Sequence, residues 1–243
     1  QAAYYRNLET DRLHPNTPGQ LRMAWALAYQ LLGYPAKFPK YIALSFDDGP
    51  NTVTTPKVLD VLEENGVAAS FFVCGKNIDK STAKVMRRAV QLGCDIENHS
   101  FSHQHMSRLT EEQIRDEVSR TDELIKKWTG AAPRFFRPPY IDHNELMHKV
   151  IDLTFIQGVG ADDWKGEVDA AARGKLILDT VKDGDIILLH DFEGNDATVE
   201  ALKTVIPELK NRGFEFVTVP QLFDQVRGHA PEAHNGKIYT NVY

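Results

Sequence analysis

The fold class follows from three consecutive segments of the sequence: YIALSF at 41–46, TPKVLDVLEEN at 55–65 and AASFFV at 68–73. The first and third are short apolar runs that predict buried strands. The middle segment has the apolar spacing of an amphipathic helix, and Gly66 follows it as a stop signal. A strand, a helix and a second strand in this order predict parallel strands that a crossover helix connects.

The same alternation continues along the rest of the chain. Further helices are predicted at 81–92, 110–128, 170–181, 198–211 and 220–226, and further strands at 95–98, 151–157, 185–189 and 215–218. The helix at 110–128 has the clearest boundaries, because Thr110 and Gln113 match a capping box and Gly130 follows its end. We therefore expect a single-domain α/β fold, a TIM-like (β/α) barrel of about seven strands, with an open doubly wound sheet as the alternative.

Composition restricts the class of protein. Of the 243 residues, 42% are hydrophobic and 26% are charged, which is typical of a globular domain and excludes a disordered, collagenous or membrane-bundle chain. The most apolar stretch, at 23–36, is too short to span a bilayer. The net charge of −6 gives no electrostatic reason to bind nucleic acid or an anionic membrane, so neither is expected as a partner.

The patterns divide the chain into three parts. Residues 1–40 are interpreted as an N-terminal extension whose amphipathic segment at 20–32 forms one helix packed on the barrel, 41–228 as the domain itself, and 229–243 as an irregular, exposed tail. Cys74 and Cys94 lack metal or redox spacing and are expected to be two buried free thiols, with a disulfide as the alternative. A monomer is expected.

Acidic and histidine side chains follow the first and third strands. Asp47 and Asp48 precede a Gly-Pro turn, which can direct one carboxylate to a metal and leave the other free, although Asp-Asp-Gly-Pro is also ordinary turn chemistry. His99 and His103 are four residues apart and are expected on one face of a helical turn, unless they are an unrelated surface pair. Together with Asp48 they would form an open metal site, while His105 is out of phase.

Three later segments add polar groups at predicted strand or loop ends. Arg137 lies in the stiff RPPY loop and either holds Asp47 ionised or is structural. His190 follows a wholly apolar strand, which favours a general acid, with Asp163 as its orienting carboxylate. Trp164 is either a core residue or a wall on which a sugar stacks.

Five short motifs occur in a fixed order: FDDGP at 46–50, HSFSH at 99–103, RPPY at 137–140, DW at 163–164 and LLHD at 188–191. In this set the chain resembles the polysaccharide deacetylase family, also called carbohydrate esterase family 4 or the NodB-homology domain, over residues 41–226. The resemblance implies a distorted (β/α) barrel that hydrolyses acetyl groups from a sugar polymer. It also implies one divalent metal ion, which would be zinc, cobalt, nickel or manganese.

The same resemblance implies a role for each motif residue. Asp48, His99 and His103 would be the metal ligands, and Asp47 would be the general base, oriented by Arg137. His190 would be the general acid, tuned by Asp163. Tyr140 would offer its main-chain N–H to the oxyanion, while Trp164 and Leu188 would line the pocket for the acetyl methyl group.

The chain departs from the family pattern beside the substrate. Ile141 and Asp142 follow RPPY where members usually have glycine, and Gly160 stands where many have aspartate. A similar pattern occurs in the acetylxylan esterase branch, so O-acetylated xylan is the expected substrate and a secreted protein is expected. The alternatives are an N-deacetylase of chitin oligomers or peptidoglycan, a phosphoesterase, for which cations are too few, and an inactive carbohydrate-binding module.

Overall fold

A computed structural model describes residues 39–228 and 233–242, together with the isolated positions 24, 27 and 31. The N-terminal helix predicted at 20–32 lies outside the described residues, apart from those three positions, which are helical. Within the described part of the chain, no helix is both long enough and apolar enough to cross a membrane.

The described strands form one parallel sheet that curls into a distorted barrel, as predicted. Its order is β6-β7-β1-β2-β3-β4-β5-β9, with β8 paired to the first half of β1. The nine strands are β1 (Lys40–Asp47), β2 (Ser70–Val73), β3 (Asp95–Asn98), β4 (Phe135–Phe136), β5 (Thr154–Ile156), β6 (Val159–Gly160), β7 (Ile186–His190), β8 (Phe214–Phe216) and β9 (Ile238–Tyr239). The expected number of seven is wrong, because β4, β6 and β9 have two residues each and leave no periodic pattern in the sequence.

Helices separate most of these strands. The described α-helices are α1 (Thr54–Asn65), α2 (Thr82–Gln91), α3 (Glu111–Thr129), α4 (Glu145–Val150), α5 (Ala170–Thr180), α6 (Asp196–Asn211) and α7 (Val219–Arg227). The capping box at the start of α3 and the left-handed Gly130 at its end are both present, as predicted. α4 is shorter than two helical turns and was not predicted from the sequence.

Alternate residues of β1 enter two different cores. Ile42 and Leu44 pack with the apolar faces of α1, α2 and α6, whereas Ala43 belongs to a second cluster on the other face of the sheet. Residues of α7 fill that second cluster, where Phe223 stacks on Phe135 with ring centroids 5.4 Å apart. Both cysteines are buried free thiols, as expected.

The last described residues, 238–242, close the barrel, whereas an irregular, exposed tail was predicted over 229–243; residues 234–237 are exposed and have no regular structure. β9 pairs with β5, and the next residues reach the start of β7 through a bridge between Asp185 and Asn241. The main-chain N–H of Val242 donates to Gly184 O at 2.7 Å, and the Val242 side chain is fully buried. A sheet edge left open beside β5 would expose unpaired backbone groups, and this segment satisfies them.

Candidate active site

The carboxyl ends of β1, β3, β4 and β7 bring the predicted residues to one edge of the sheet. Strand pairing sets Asp47 opposite His190, and Asn98, which precedes His99, opposite Phe136, which precedes Arg137. Residues separated by more than a hundred positions in sequence therefore become neighbours because their strands are parallel and adjacent.

Asp48, His99 and His103 converge on one small volume. Asp48 Oδ1 lies 3.2 Å from His103 Nε2 and 3.6 Å from His99 Nε2, and the three ligand atoms lie within 4.8 Å of one another. Burial lowers the pKa of His99 to about 3 and also lowers the pKa of His103, so both imidazoles are neutral at pH 7. Neutral imidazoles with a carboxylate are the donor set that zinc-like divalent ions prefer.

A main-chain contact fixes the tautomer of His99. Its Nδ1 lies 2.6 Å from the carbonyl oxygen of Arg137, which can only accept, so Nδ1 carries the proton. Nε2, on the side of Asp48, is left with its lone pair free. Metal-binding histidines are commonly oriented by such a hydrogen bond, and the site therefore fits a divalent ion.

The two histidines are not on a helical turn, so that expectation is wrong. Ser100 and His103 adopt left-handed backbone angles, with φ of 65° and 59°. Asn98 Oδ1 accepts the N–H of Ser100 at 2.7 Å, and Ser100 Oγ accepts the N–H of His103 at 3.1 Å. These side chains bind N–H groups that a helix would direct to its own carbonyls, so a tight loop forms instead.

Glu117 holds the middle of this loop from α3 and was missed by the sequence analysis. Its Oε2 accepts the main-chain N–H groups of Phe101 at 2.9 Å and Ser102 at 2.8 Å. Its Oε1 accepts Ser102 Oγ at 2.7 Å and Gln104 Nε2 at 2.9 Å. Glu117 is only 5% exposed. The available signal was an acidic residue on the buried face of α3, beside Ile114.

Asp47 and Asp48 point to different partners, as predicted from the turn that follows them. Asp48 has a left-handed φ of 74°, while Asp47 ends β1 and receives Nη1 of Arg137 on Oδ1 at 2.5 Å. Nη2 of the same guanidinium donates to Ser45 Oγ at 2.8 Å. Asp47 Oδ2 lies 3.8 Å from His99 Nε2 and thus faces the candidate metal ligands. Burial raises the pKa of Asp47, and the charge of Arg137 opposes that rise.

A second buried carboxyl lies behind the turn that carries Asp48. Asp191 Oδ2 accepts the hydroxyl of Thr55 at 2.5 Å, and the Asp191 carbonyl accepts Asn51 Nδ2 at 2.6 Å. A Cβ atom at position 49 would lie 2.6 Å from Asp191 Oδ2, so a larger residue there would displace this carboxylate. Burial raises the pKa of Asp191 to about 7. No role was predicted for Asp191 from the sequence.

His190 and Asp163 form a closely bonded pair. Nδ1 of His190 lies 2.8 Å from Asp163 Oδ1, and the main-chain N–H of His190 donates to Asp163 Oδ2 at 2.7 Å. Burial alone would lower the pKa of His190, but the hydrogen bond to Asp163 and the nearby carboxylates outweigh it and raise the pKa to about 9. At neutral pH the imidazole therefore holds a proton that it can donate.

Aromatic side chains lie exposed around this centre. Tyr140 is 59% exposed, packs its ring edge-on against His103 and stacks on His105, whose centroid is 4.1 Å away. His105 also meets Asp142 and stays outside the ligand cluster, as expected. Trp164 is 60% exposed, so it is not a core residue, which was one of its two predicted roles. Leu188 on β7 is half-buried.

A cleft of about 550 Å³ opens beside the candidate ligands. Its lining includes Asp48, His103, Cys74, Lys76 and Phe192, whereas Tyr140, Trp164 and Leu188 are not part of it.

Comparisons with known proteins agree with the five motifs. The family model described as polysaccharide deacetylase matches residues 36–158. The chain is 46% identical over 203 residues to a bifunctional xylanase/deacetylase of Pseudobutyrivibrio xylanivorans, covering 84% of this chain and 33% of that protein. It is 37% identical over 188 residues to a peptidoglycan-N-acetylglucosamine deacetylase of Bacillus cereus, covering 75% of this chain and 68% of that protein.

A solved structure gives the same result for the fold. The family 4 acetyl xylan esterase of Clostridium thermocellum, in complex with a cobalt ion, has 40% sequence identity and a TM-score of 0.81, covering 84% of this chain and 99% of that one. The matched part of this chain thus corresponds to only 33% of the length of the Pseudobutyrivibrio relative.

Proposed function

Because this chain belongs to the polysaccharide deacetylase family, a family of hydrolases that act on acetyl groups, we propose that it removes acetyl groups from a polysaccharide by a metal-dependent hydrolysis. We propose O-acetylated xylan as the substrate and acetate as the product. A polymer of this kind lies outside the cell, so the proposal implies a secreted protein.

The observation that carries the proposal is the pairing of Asp47 with His190. These two residues are register partners at the ends of adjacent strands, next to the candidate ligand cluster. Arg137 holds one oxygen of the carboxylate, and Asp163 holds one nitrogen of the imidazole. A module that only binds carbohydrate needs neither an oriented general base nor an oriented general acid, so this arrangement favours an enzyme.

Asp47 is suited to be the base. Its Oδ1 is occupied by Arg137, while its Oδ2 faces the cluster and can take a proton from a water molecule there. That water adds to the acetyl carbon of the substrate. The main-chain N–H of Tyr140 is the proposed donor to the oxygen that gains negative charge.

His190 is suited to be the acid. It is protonated near neutral pH, and Asp163 occupies its Nδ1, so Nε2 delivers the proton to the departing sugar oxygen. The ester bond then breaks, acetate and a free sugar hydroxyl are the products, and no side chain is acylated.

Asp48, His99 and His103 are the proposed holders of the metal ion. When bound, a divalent ion polarises the acetyl carbonyl and lowers the pKa of water. The cobalt ion belongs to the solved relative, and zinc, nickel and manganese suit the same two histidines and one carboxylate.

The xylan proposal is supported by the two relatives whose names contain xylan or xylanase. A second candidate, N-acetylglucosamine in chitin oligomers or peptidoglycan, is favoured by the name of the Bacillus cereus relative. The protonated state of His190 supports it as well, because an amine leaving group depends strongly on a proton donor.

The test is acetate release by the metal-loaded protein from acetylated xylan, a chitin oligomer and peptidoglycan, measured side by side. Asp47→Asn and a chelator-treated sample serve as controls, because the first should keep the metal and the second should not. Release from xylan alone, abolished in both controls, is the expected result. Release only from the chitin oligomer or from peptidoglycan would show that this polymer, and not xylan, is the substrate. No release from any of the three would refute the proposed activity.

A further inference from the structure

Arg173 lies in α5, outside all five motifs, and is only 3% exposed. Its guanidinium donates four hydrogen bonds. Nε reaches Val168 O at 2.8 Å and Nη2 reaches Lys165 O at 3.1 Å, while Nη1 reaches Asn195 Oδ1 at 2.5 Å and Thr198 Oγ1 at 2.9 Å. A buried guanidinium with this many fixed acceptors sets the positions of the groups around it.

Both side chains that accept from Arg173 in turn hold the proposed acid pair. Thr198 Oγ1 donates to Asp163 Oδ2 at 2.9 Å. Asn195 Nδ2 donates to the carbonyl of His190 at 2.8 Å and lies 3.4 Å from Asp163 Oδ2. A hydroxyl has one proton, and because Arg173 donates to the Thr198 oxygen, that proton is directed to Asp163.

The other two bonds fix the segment that carries Asp163. Lys165 and Val168 lie in the turn directly after Asp163 and Trp164, and their carbonyls are held against α5 by the same guanidinium. Arg173 thus contacts the segment that follows β6, the loop after β7 and the first turn of α6. These are the three parts of the chain that meet at Asp163.

We propose that Arg173 is a positioning residue for the proposed general acid, an inference that rests on the proposed function. Its guanidinium directs Thr198 and Asn195 toward Asp163, which fixes the carboxylate that holds Nδ1 of His190. Arg173 touches neither substrate nor the reacting atoms, and it acts through Thr198, Asn195 and Asp163 in turn.

The leaving group separates this role from a purely structural one. A sugar oxygen needs the proton of His190, whereas an aryl oxide leaves without one. Arg173→Gln should therefore lower turnover of the acetylated polysaccharide by about tenfold or more, the usual effect of losing such an outer hydrogen bond. Turnover of 4-nitrophenyl acetate should change by less than about twofold, because its chemistry does not need the acid. A structural defect would lower both equally.

A spectroscopic readout makes the test independent of activity. The Nδ1–H of His190, bonded to Asp163, should give a low-field proton resonance, assigned by its absence in His190→Gln. We expect this resonance in the wild type and in Lys175→Gln, a control on the same helix whose side chain is 77% exposed. It should be shifted upfield or lost through exchange in Arg173→Gln, and partly restored in Arg173→Lys.

Thr198→Val tests the route and replaces Arg173→Gln if that variant does not fold. It should likewise lower turnover of the acetylated polysaccharide much more than turnover of 4-nitrophenyl acetate. The variant with both changes should have a turnover no lower than that of the more impaired single variant. Equal losses on both substrates with an unchanged His190 resonance would overturn the proposal. If the wild type released no acetate from any polysaccharide, the proposed function would fail, and the resonance would still decide whether Arg173 orders His190.

Discussion

The carbonyl oxygen of Arg137 lies 2.6 Å from Nδ1 of His99, while the guanidinium of the same residue holds Asp47. One residue thus orients a candidate metal ligand through its main chain and the proposed base through its side chain. The two functions are separable by mutation, because a substitution removes the guanidinium and leaves the carbonyl.

Arg137→Lys should separate them. Lysine keeps the positive charge but not the planar fork that contacts both Asp47 and Ser45. We expect turnover to fall about 100-fold, as for a misplaced catalytic group, while zinc affinity measured by calorimetry stays close to that of the wild type. Equal losses of zinc affinity and turnover would show that the guanidinium also supports the ligands.

The two neighbouring aspartates should give opposite results for metal binding. Asp48→Ala removes the carboxylate that faces both histidines, so metal and activity should be lost together. Asp47→Asn keeps a side chain of the same shape that cannot accept the proton of water, so the metal should remain and acetate release should fall by about 100-fold or more. Metal content after dialysis and acetate release measure the two effects, and wild-type turnover by Asp47→Asn would disprove the assignment of the base.

The pH dependence should show the influence of Asp163 on His190. The acid must be protonated, so activity should fall as pH rises through the pKa of His190, which lies at about 9. Asp163→Asn removes a hydrogen bond and a negative charge that both favour the imidazolium, so the basic limb of the kcat profile should move to lower pH. A shift of one pH unit corresponds to about 1.4 kcal/mol. A basic limb that does not move would show that another group sets it.

The strand-and-helix alternation and the strand-end rule predicted most of the site. Asp47 and Arg137 are 90 residues apart, and their contact was one of two interpretations of the stiff RPPY loop, before which no strand was predicted. The His190–Asp163 pair was expected because both residues follow predicted strands of one parallel sheet. Such contacts depend on where strands end, which apolar runs and turn residues indicate well.

The residues that hold these site residues in position were not predictable in the same way. Glu117 and Arg173 act from helices, and their contacts depend on how far each helix is rotated about its axis against the sheet. β9 has only two residues, so its sequence has no strand pattern, and it forms because it pairs with the edge strand β5. The four-residue spacing of His99 and His103 predicted a helical turn, but the bond from the Ser100 N–H to Asn98 and the bonds to the distant Glu117 favour a tight loop instead.

Glu117→Ala should weaken metal binding without touching a ligand. It frees two main-chain N–H groups and two side chains in the loop that carries His103. Loss of outer support of this kind lowers metal affinity by about 10- to 100-fold, which competition with a fluorescent zinc chelator would measure. Glu112→Ala, at an exposed position of the same helix, is the matched control and should bind zinc as the wild type does. Equal affinities of the two variants would show that the loop keeps its shape alone.

The ionisation of Glu97 should make the free energy of unfolding depend on pH, independently of metal binding. It is buried in β3, its Oε2 accepts the N–H groups of Arg134 at 2.7 Å and Phe135 at 2.8 Å, and burial raises its pKa from 4.5 to about 8. Between these values the unfolded state has lost the proton and the folded state keeps it, so the free energy of unfolding falls as pH rises and levels off above about 8.

Glu97→Gln offers the same carbonyl acceptor and cannot ionise. Relative to the wild type it should therefore gain stability with rising pH, by up to about 1.4 kcal/mol per unit between pH 5 and pH 8. Urea unfolding of both proteins, and of the exposed control Glu112→Gln, at those two pH values measures the difference. Other titrating groups are common to all three proteins and cancel. A difference between Glu97→Gln and the wild type that is the same at both pH values would show that Glu97 is ionised within the fold.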